Sequence, residues 1–223
     1  MDNQSAFCAE EYDEKICRTL PYYEDIYDQI VDLIGAFGKK DIKWLDVGCG
    51  TGKMAEVVQN RLSVKRLVLC DRSDKMLSIA KVKLASYSGT MEFVNCSAQG
   101  LTYDNTFDVV TAVQVNHYMN WKNRVLSIQN CYNTLDENGI YITFENVAPF
   151  SEIGKDVSLK RWKRYQINKG LSEKESEKHI QRYGKEYFPI TIAEHLEIMR
   201  NIGFKAVEIF WLSYMQIGLW GIK

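Results

Sequence analysis

The chain has 223 residues, of which 46% are apolar and 26% are charged, and its formal net charge at pH 7 is −1. This composition is typical of one large globular domain, or of one domain with a cap. It gives no overall positive field that would draw the chain to nucleic acid or to an anionic membrane. No segment approaches the roughly 20 consecutive apolar residues that a membrane-spanning helix needs.

The cysteines and histidines show no metal-binding pattern. Six cysteines are scattered without a Cys-x-x-Cys pair, and the three histidines lack the spacing of metal ligands. We therefore expect reduced thiols and no metal. Residues 1–5 are polar and lack the basic and apolar regions of a secretory leader. We expect a cytoplasmic protein that is a monomer or a homodimer.

The first regular element is predicted over residues 22–37, where Ile26, Ile30 and Ile34 recur at helical spacing. Residues 42–47 then form an apolar run, which is typical of a buried strand. Residues 54–62 are amphipathic and favour a second helix. Between the strand and this helix lies a short loop that is rich in glycine.

The loop carries three alternating glycines, Gly48, Gly50 and Gly52. Glycine has no Cβ, so it suits a turn that needs positive φ or lies against a ligand. The following helix offers unpaired N–H groups at its N-terminus. We therefore expect a small ligand to bind here, at the carboxyl end of the strand.

A second strand is predicted over residues 66–70, and Asp71 stands at its end, about 20 residues beyond the glycines. In this architecture an acid at that spacing binds the hydroxyls of a ribose. Dinucleotides and S-adenosylmethionine both suit the pattern. The dinucleotide fingerprint requires its third glycine where this chain has Lys53, so the spacing departs from that fingerprint.

The rest of the chain alternates between strands and helices, which predicts a parallel sheet. Helices are expected from Ser73 or Asp74 to Leu84, over 121–135, and from Thr191 to Gly203, with a turn at 136–139. Strands are expected over 91–95, 107–113, 140–144, 204–212 and 215–222, the last two as a hairpin, and residues 148–188 form a charged helical segment.

The segment Asp46-Val47-Gly48-Cys49-Gly50-Thr51-Gly52, together with the terminal hairpin, resembles the class I S-adenosylmethionine-dependent methyltransferases. The resemblance extends over residues 12–222. It implies an α/β fold: a Rossmann-like sheet of seven strands with helices on both faces, an antiparallel C-terminal hairpin and a helical cap. It also implies a single domain over residues 1–223, with residues 1–21 as a lid and residues 148–188 as the cap.

The resemblance also implies which residues bind the cofactor. Asp46 is expected near the amino-acid end of the cofactor and Asp71 at the ribose. Ser97, Ala98 and Gln99 are expected near the adenine. Met76 is also expected there, and an ordinary core position is its alternative. The full predicted cofactor set is Tyr23, Asp46, Gly48, Cys49, Gly50, Gly52, Asp71, Arg72, Met76, Ser97, Ala98 and Gln114.

Four further residues are predicted around the methyl acceptor. His117 follows the fourth strand, and its ordinary pKa suits a general base. A structural histidine that closes the strand end is the alternative. Tyr12, Arg18 and Trp162 are predicted substrate residues, and Arg18 would suit a carboxylate on the acceptor.

The implied activity is methyl transfer from S-adenosylmethionine to a small molecule, with S-adenosylhomocysteine as product. A closer resemblance, to the carboxy-S-adenosylmethionine synthases of a tRNA wobble pathway, rests on the spacing of Tyr12, Arg18 and Tyr23. The loop departs from that family at Gly50-Thr51-Gly52, and Arg182 is out of register with its carboxylate-binding arginine. The basic residues 160–164 leave RNA binding open, although the acids after them argue against it. A cofactor-binding regulator without catalytic activity is the third alternative.

Overall fold

A mixed sheet of seven strands forms the centre of the protein. The computed structural model describes residues 5–59 and 61–223. The strands are β1 (Ile42–Val47), β2 (Val64–Asp71), β3 (Thr90–Asn95), β4 (Phe107–Val113), β5 (Leu135–Asn146), β6 (Ala206–Ser213) and β7 (Gln216–Ile222).

Eight α-helices accompany these strands in the described residues. They are α1 (Tyr12–Thr19), α2 (Tyr23–Phe37), α3 (Lys53–Val58), α4 (Asp74–Lys83), α5 (Trp121–Thr134), α6 (Glu152–Asn168), α7 (Glu173–Ile180) and α8 (Ile192–Ile202). None of the helices in this part of the chain combines the length and the apolar character that crossing a bilayer requires.

The strand order is β3-β2-β1-β4-β5-β7-β6. Strands β1 to β5 run parallel, and β7 lies antiparallel between β5 and β6. The predicted α/β fold and the antiparallel hairpin are therefore confirmed. The chain order reverses between β1 and β4, and ligands of open α/β sheets bind in the crevice beyond the carboxyl ends of the strands at such a point.

Both faces of the sheet are covered, because side chains of its central strands alternate between two cores. Trp44 packs in the core that includes residues of α2, α3 and α4. Its neighbour Leu45 packs in the second core, which includes residues of α5 and α8. Both side chains are fully buried. Helices on both faces are therefore confirmed.

Two helix ends follow local signals in the sequence. The Ser73 hydroxyl accepts a hydrogen bond from the Met76 N–H at the start of α4. Thr191 and Glu194 form a reciprocal capping box at the start of α8, which ends at Gly203 with a φ of +114°. These boundaries agree with the predicted ones, because the capping residues are local in sequence.

Two predicted boundaries are wrong. The amphipathic stretch over residues 54–62 gives a helix that already ends at Val58. The predicted turn at 136–139 lies inside β5, where the pairing with β4 shifts from Phe107–Leu135 to Val109–Ile140. Residues 136–139 lie between these two pairs and form an irregularity in the strand. Asn138 in this irregularity has a φ of +59°.

Helices α1, α6 and α7 contact one another through polar side chains. The Trp162 indole on α6 donates to the Thr19 carbonyl of α1 at 2.7 Å, and this indole is fully buried. Lys163 on α6 donates to Glu177 on α7 at 2.7 Å. The N-terminal segment is therefore in contact with the segment after β5, and the assignment of the two as lid and cap stays a prediction.

Candidate functional site

The loop after β1 bends over the end of β2. The N–H groups of Gly48 and Cys49 donate to the carbonyl of Cys70, at 2.7 and 3.0 Å. Gly48 has a φ of +67°, and a Cβ at this position would lie 2.4 Å from Cγ2 of Val115. Only glycine suits both the backbone conformation and the close approach of Val115.

Asp71 connects the second strand to this loop. One carboxylate oxygen accepts from the Gly50 N–H at 2.9 Å, and the other accepts from the Ser73 N–H at 2.8 Å. The residue is only 9% exposed. These bonds orient the carboxylate and hold the loop after β1 against the turn after β2.

A cavity of about 930 Å³ opens at this edge of the sheet. Its volume lies within the range of small-molecule sites in proteins. The predicted residues that line it are Tyr12, Gly48, Gly50, Asp71, Arg72, Met76, Ser97, Ala98, Gln99 and Gln114. The turns after the first four strands thus bring these residues together, because the carboxyl ends of parallel strands meet at one edge.

Three other predicted cofactor residues lie behind the glycine loop. Asp46, Tyr23 and Cys49 line a separate space of about 20 Å³, which Tyr12 also borders. Asp46 accepts a 2.7 Å hydrogen bond from the Thr111 hydroxyl, which in turn accepts one from Trp44. Burial raises the pKa of Asp46 to about 7. The structure therefore places the Asp46 carboxyl beneath the loop and not on the wall of the main cavity.

Gly52 also lies outside both spaces, which corrects its expected position. A Cβ at Gly52 would lie 2.8 Å from Cδ1 of Leu84 and 3.3 Å from Cβ of Ala80, at the C-terminal end of α4. Its φ is +82°. The third glycine therefore permits close packing of the loop against α4 and leaves ligand contact to Gly48 and Gly50.

His117 does not line the cavity, which corrects the prediction that it faces the reacting methyl group. The residue is 1% exposed, and its Nδ1 lies 2.7 Å from a carboxylate oxygen of Glu145. Burial acts to raise the pKa of Glu145, but the hydrogen bonds from His117 and from the Asn116 N–H outweigh it and lower that pKa. His117 is thus part of a buried polar network, the alternative that the sequence left open.

The predicted substrate residues separate into three environments. Tyr12 lines the main cavity, and burial raises the pKa of its phenol well above the ordinary value. Arg18 is 52% exposed and pairs with Glu14 at 3.0 Å, so it points away from the cavity. Trp162 is buried and borders a different space of about 30 Å³. For Arg18 and Trp162 the structure corrects the expected positions.

The cavity has lining residues that the sequence did not indicate. They include the side chains of Ser5, Cys96, Val113, Val115, Tyr118, Met119, Asn120, Asn123 and Phe188. Asn120 is the one with a local signal, since it caps α5 by accepting from the Asn123 N–H at 3.0 Å. Phe188 reaches the cavity because its N–H donates to the His117 carbonyl at 2.7 Å, a contact between distant segments.

In residues 5–59 and 61–223, no cluster of His, Cys, Asp or Glu side chains is arranged to hold a metal ion. The polar groups of the main cavity are instead backbone amides, hydroxyls, side-chain amides and the Asp71 carboxylate. This donor set suits a nucleoside. The fold and the site define an α/β protein with a cavity suited to a nucleoside.

Comparison with known proteins identifies the class further. Residues 45–139 match the family model described as "Methyltransferase domain". The carboxy-S-adenosyl-L-methionine synthase of Wolinella succinogenes is 26% identical over 208 residues, which cover 91% of this chain and 86% of that protein. These matches support an enzyme with a methyltransferase domain over residues 45–139, and S-adenosylmethionine as its cofactor.

Solved structures share the fold. The magnesium protoporphyrin IX methyltransferase of Synechocystis PCC 6803 with bound S-adenosylhomocysteine has a TM-score of 0.67 and 18% identity, covering 92% of this chain and 85% of that one. The same enzyme with bound S-adenosylmethionine has a TM-score of 0.63 and 16% identity, covering 100% of this chain and 86% of that one. At this identity the likeness concerns the fold.

Proposed function

We propose that the protein transfers the methyl group of S-adenosylmethionine to a small-molecule acceptor that binds in the main cavity. The observation that carries this proposal is the composition of the cavity wall. The wall includes the loop after β1, Asp71, Tyr12 of α1 and Phe188. The volume of about 930 Å³ can hold a nucleoside and a small acceptor together.

The cofactor residues have separate roles in this proposal. The Asp71 carboxylate, fixed by the Gly50 and Ser73 N–H groups, accepts hydrogen bonds from the ribose hydroxyls. Ser97 and Ala98 contact the adenine, and Gln114 lies toward the reacting end. Gln114 has a φ of +59°, and its N–H donates to the Phe144 carbonyl at 2.7 Å, so its backbone is held in a sparsely populated conformation.

The chemistry asks little of the protein beyond alignment and the exclusion of water. When bound, S-adenosylmethionine supplies a methyl group that its sulfonium already activates. Tyr12 and Tyr118 line the cavity, and burial raises the pKa of both phenols. Both therefore stay protonated near pH 7 and orient the acceptor by hydrogen bonds. Since His117 is buried away from the cavity, we propose that the acceptor's proton leaves to water.

The test is incubation of the protein with methyl-labelled S-adenosylmethionine and a fractionated metabolite extract. The proposal predicts a labelled small molecule and one S-adenosylhomocysteine for each transfer, both identified by mass spectrometry. Phe188→Ala should lower transfer while binding of S-adenosylhomocysteine changes little, and the exposed Phe150→Ala is the matched control. Binding of the cofactor without transfer to any fraction would contradict the proposal and favour a regulator.

A second candidate function is synthesis of a carboxylated S-adenosylmethionine, as the names of the similar proteins describe. Arg182 is the observation in its favour. Its side chain is 9% exposed and forms an ion pair with Glu186. It also borders the space of about 30 Å³, which adjoins the main cavity because Gln114 and Tyr118 line both. A guanidinium is well suited to bind a carboxylate.

Mass spectrometry distinguishes this second candidate from methyl transfer. Incubation of the protein with S-adenosylmethionine and the same extract would yield a nucleoside in which a carboxylate replaces one hydrogen. Arg182→Met should abolish that product, and Arg200→Met, at an exposed position of α8, should not. Release of S-adenosylhomocysteine together with a methylated acceptor, and no carboxylated nucleoside, would contradict this second function.

A further inference from the structure

Two cysteines lie side by side at the edge of the main cavity, and one of them, Cys96, lines it. Cys70 is buried near the end of β2, and Cys96 is the first residue after β3, half-buried and in contact with the cavity. Their Sγ atoms are 2.8 Å apart, and the Cys70 thiol also donates to the Cys96 carbonyl at 3.1 Å. A disulfide bond is about 2.0 Å long, so the sulfurs need to approach by less than about 1 Å to form one.

The two thiols differ in reactivity. The contact between the two sulfurs lowers the pKa of Cys96, while the same contact and then burial raise the pKa of Cys70. Cys96 is also the partner that the cavity exposes. A thiolate is the nucleophile in thiol–disulfide exchange. Cys96 is therefore placed to attack first, and Cys70 to resolve the mixed disulfide.

We propose that Cys70 and Cys96 form a redox-active dithiol, which low-molecular-weight disulfides of the glutathione type oxidise to an intramolecular disulfide. The Cys96 thiolate attacks the disulfide, forms a mixed disulfide and releases one thiolate. Cys70 then loses its proton and attacks the Cys96 sulfur, which releases the second thiolate. The protein loses two protons and two electrons, and the small disulfide is reduced to two thiols.

Formation of the disulfide would affect three segments around the cavity, because the backbones of the two cysteines are hydrogen-bonded to them. The Cys70 carbonyl accepts from Gly48 and Cys49 in the loop after β1, and the Cys96 N–H donates to the Asp71 carbonyl at 3.1 Å. We expect a nucleoside in the cavity to shield Cys96, and the disulfide to weaken nucleoside binding. This coupling rests on the proposed function, whereas formation of the disulfide does not.

The first experiment treats the reduced protein with glutathione disulfide and measures the mass of the intact chain. We expect a product that has lost two hydrogens and yields a Cys70–Cys96 cross-linked peptide. Cys70→Ser should accumulate a glutathione adduct on Cys96, because the resolving thiol is absent. Cys17→Ser, which removes another partly exposed thiol, should still form the disulfide. A stable adduct on Cys96 in the unchanged protein, or no reaction at Cys96, would overturn the proposal.

The second experiment tests the coupling with S-adenosylhomocysteine as the probe. Saturating S-adenosylhomocysteine should slow the loss of the two hydrogens, and the oxidised protein should bind it about fivefold more weakly or worse, measured by calorimetry. An unchanged rate and an unchanged affinity, in a reduced protein that binds S-adenosylhomocysteine, would overturn the coupling. If the reduced protein does not bind it at all, the proposed function fails, and the mass measurement still decides on the dithiol.

Discussion

Replacement of Asp71 by alanine tests the ribose contact and the loop geometry together. In the folded protein the carboxylate accepts two backbone N–H bonds, from Gly50 at 2.9 Å and from Ser73 at 2.8 Å. Hydrogen bonds to charged groups contribute about 1.5–3 kcal/mol each. Water from the cavity can reach the exposed donors in the variant, so we expect a loss of about 2–4 kcal/mol in the free energy of unfolding.

The loss of the carboxylate should also weaken cofactor binding. Loss of the charge-assisted bonds to the ribose costs about 1–3 kcal/mol, which raises the dissociation constant about 5- to 150-fold. Calorimetry with S-adenosylhomocysteine measures this change, and urea unfolding measures the stability. Asp74→Ala is the control, because Asp74 lies three residues later and is exposed outside the cavity. A folded Asp71→Ala protein with an affinity within about twofold of the unchanged chain would refute the assignment.

Three further substitutions address buried and inter-element contacts. His117→Ala should lower the free energy of unfolding by about 3–5 kcal/mol, because it removes the imidazole that pairs with the buried Glu145 carboxylate. The affinity for S-adenosylhomocysteine, measured by calorimetry, should stay unchanged. Asp46→Asn should flatten the dependence of the free energy of unfolding on pH between about pH 4 and 7. In that range Asp46 contributes a slope of at most about −1.4 kcal/mol per pH unit. Asp13→Asn weakens the 2.5 Å bond from the Thr51 hydroxyl and the ion pair with Lys83. It should therefore speed dissociation of S-adenosylhomocysteine in stopped-flow measurements.

The sign of the pH effect follows from the raised pKa of Asp46. Burial raises the pKa of this carboxyl to about 7 in the folded state, whereas the unfolded chain ionises near its ordinary value of 3.8. As pH rises between these values the unfolded state loses its proton first, so the contribution of Asp46 to stability falls. A slope that is identical in the unchanged chain and the Asp46→Asn variant would contradict this interpretation.

The other two substitutions have their own controls. For His117→Ala, a large loss of S-adenosylhomocysteine affinity without loss of stability would show that the histidine acts at the cavity after all. For Asp13→Asn, the control is Glu14→Gln, which removes the exposed pair with Arg18 on the same helix. Equal dissociation rates in these two variants would show that the contacts of Asp13 with Thr51 and Lys83 do not slow the release of S-adenosylhomocysteine.

The cofactor side of the site was predictable because its signals are local. Gly48 and Gly50 lie in the loop after β1, and Asp71 is the last residue of β2. Parallel strands bring their carboxyl ends to one edge of the sheet. The spacing of these residues along the sequence therefore predicts where they lie in the structure. The terminal hairpin was predictable for the same reason, since its two strands are separated by a short turn.

The positions of His117 and Gly52 could not be predicted because packing decides them. A short 3-10 turn over Asn116–Tyr118 follows β4, and it directs the His117 ring toward Glu145 while Tyr118 lines the cavity. The sequence alone does not say which of two neighbouring side chains points inward. Gly52 resembles the glycines before it, but Leu84 and Ala80 of a distant segment determine its role.

The acceptor side was the least predictable part of the site. Arg18 and Trp162 were expected near the acceptor from their chemistry, but the faces of their helices decide otherwise: one side chain is exposed and the other is buried against Thr19. Phe188 reaches the cavity through contacts with segments more than 60 residues away. Such long-range contacts leave no pattern in a single sequence.

A crystal structure of the protein with S-adenosylhomocysteine tests the central claim most directly. The account predicts that the ribose hydroxyls lie within hydrogen-bond distance of the Asp71 carboxylate, with the nucleoside over Gly48 and Gly50 and the adenine beside Ser97 and Ala98. A nucleoside bound in another part of the molecule, or in the same cavity with its ribose away from Asp71, would contradict it.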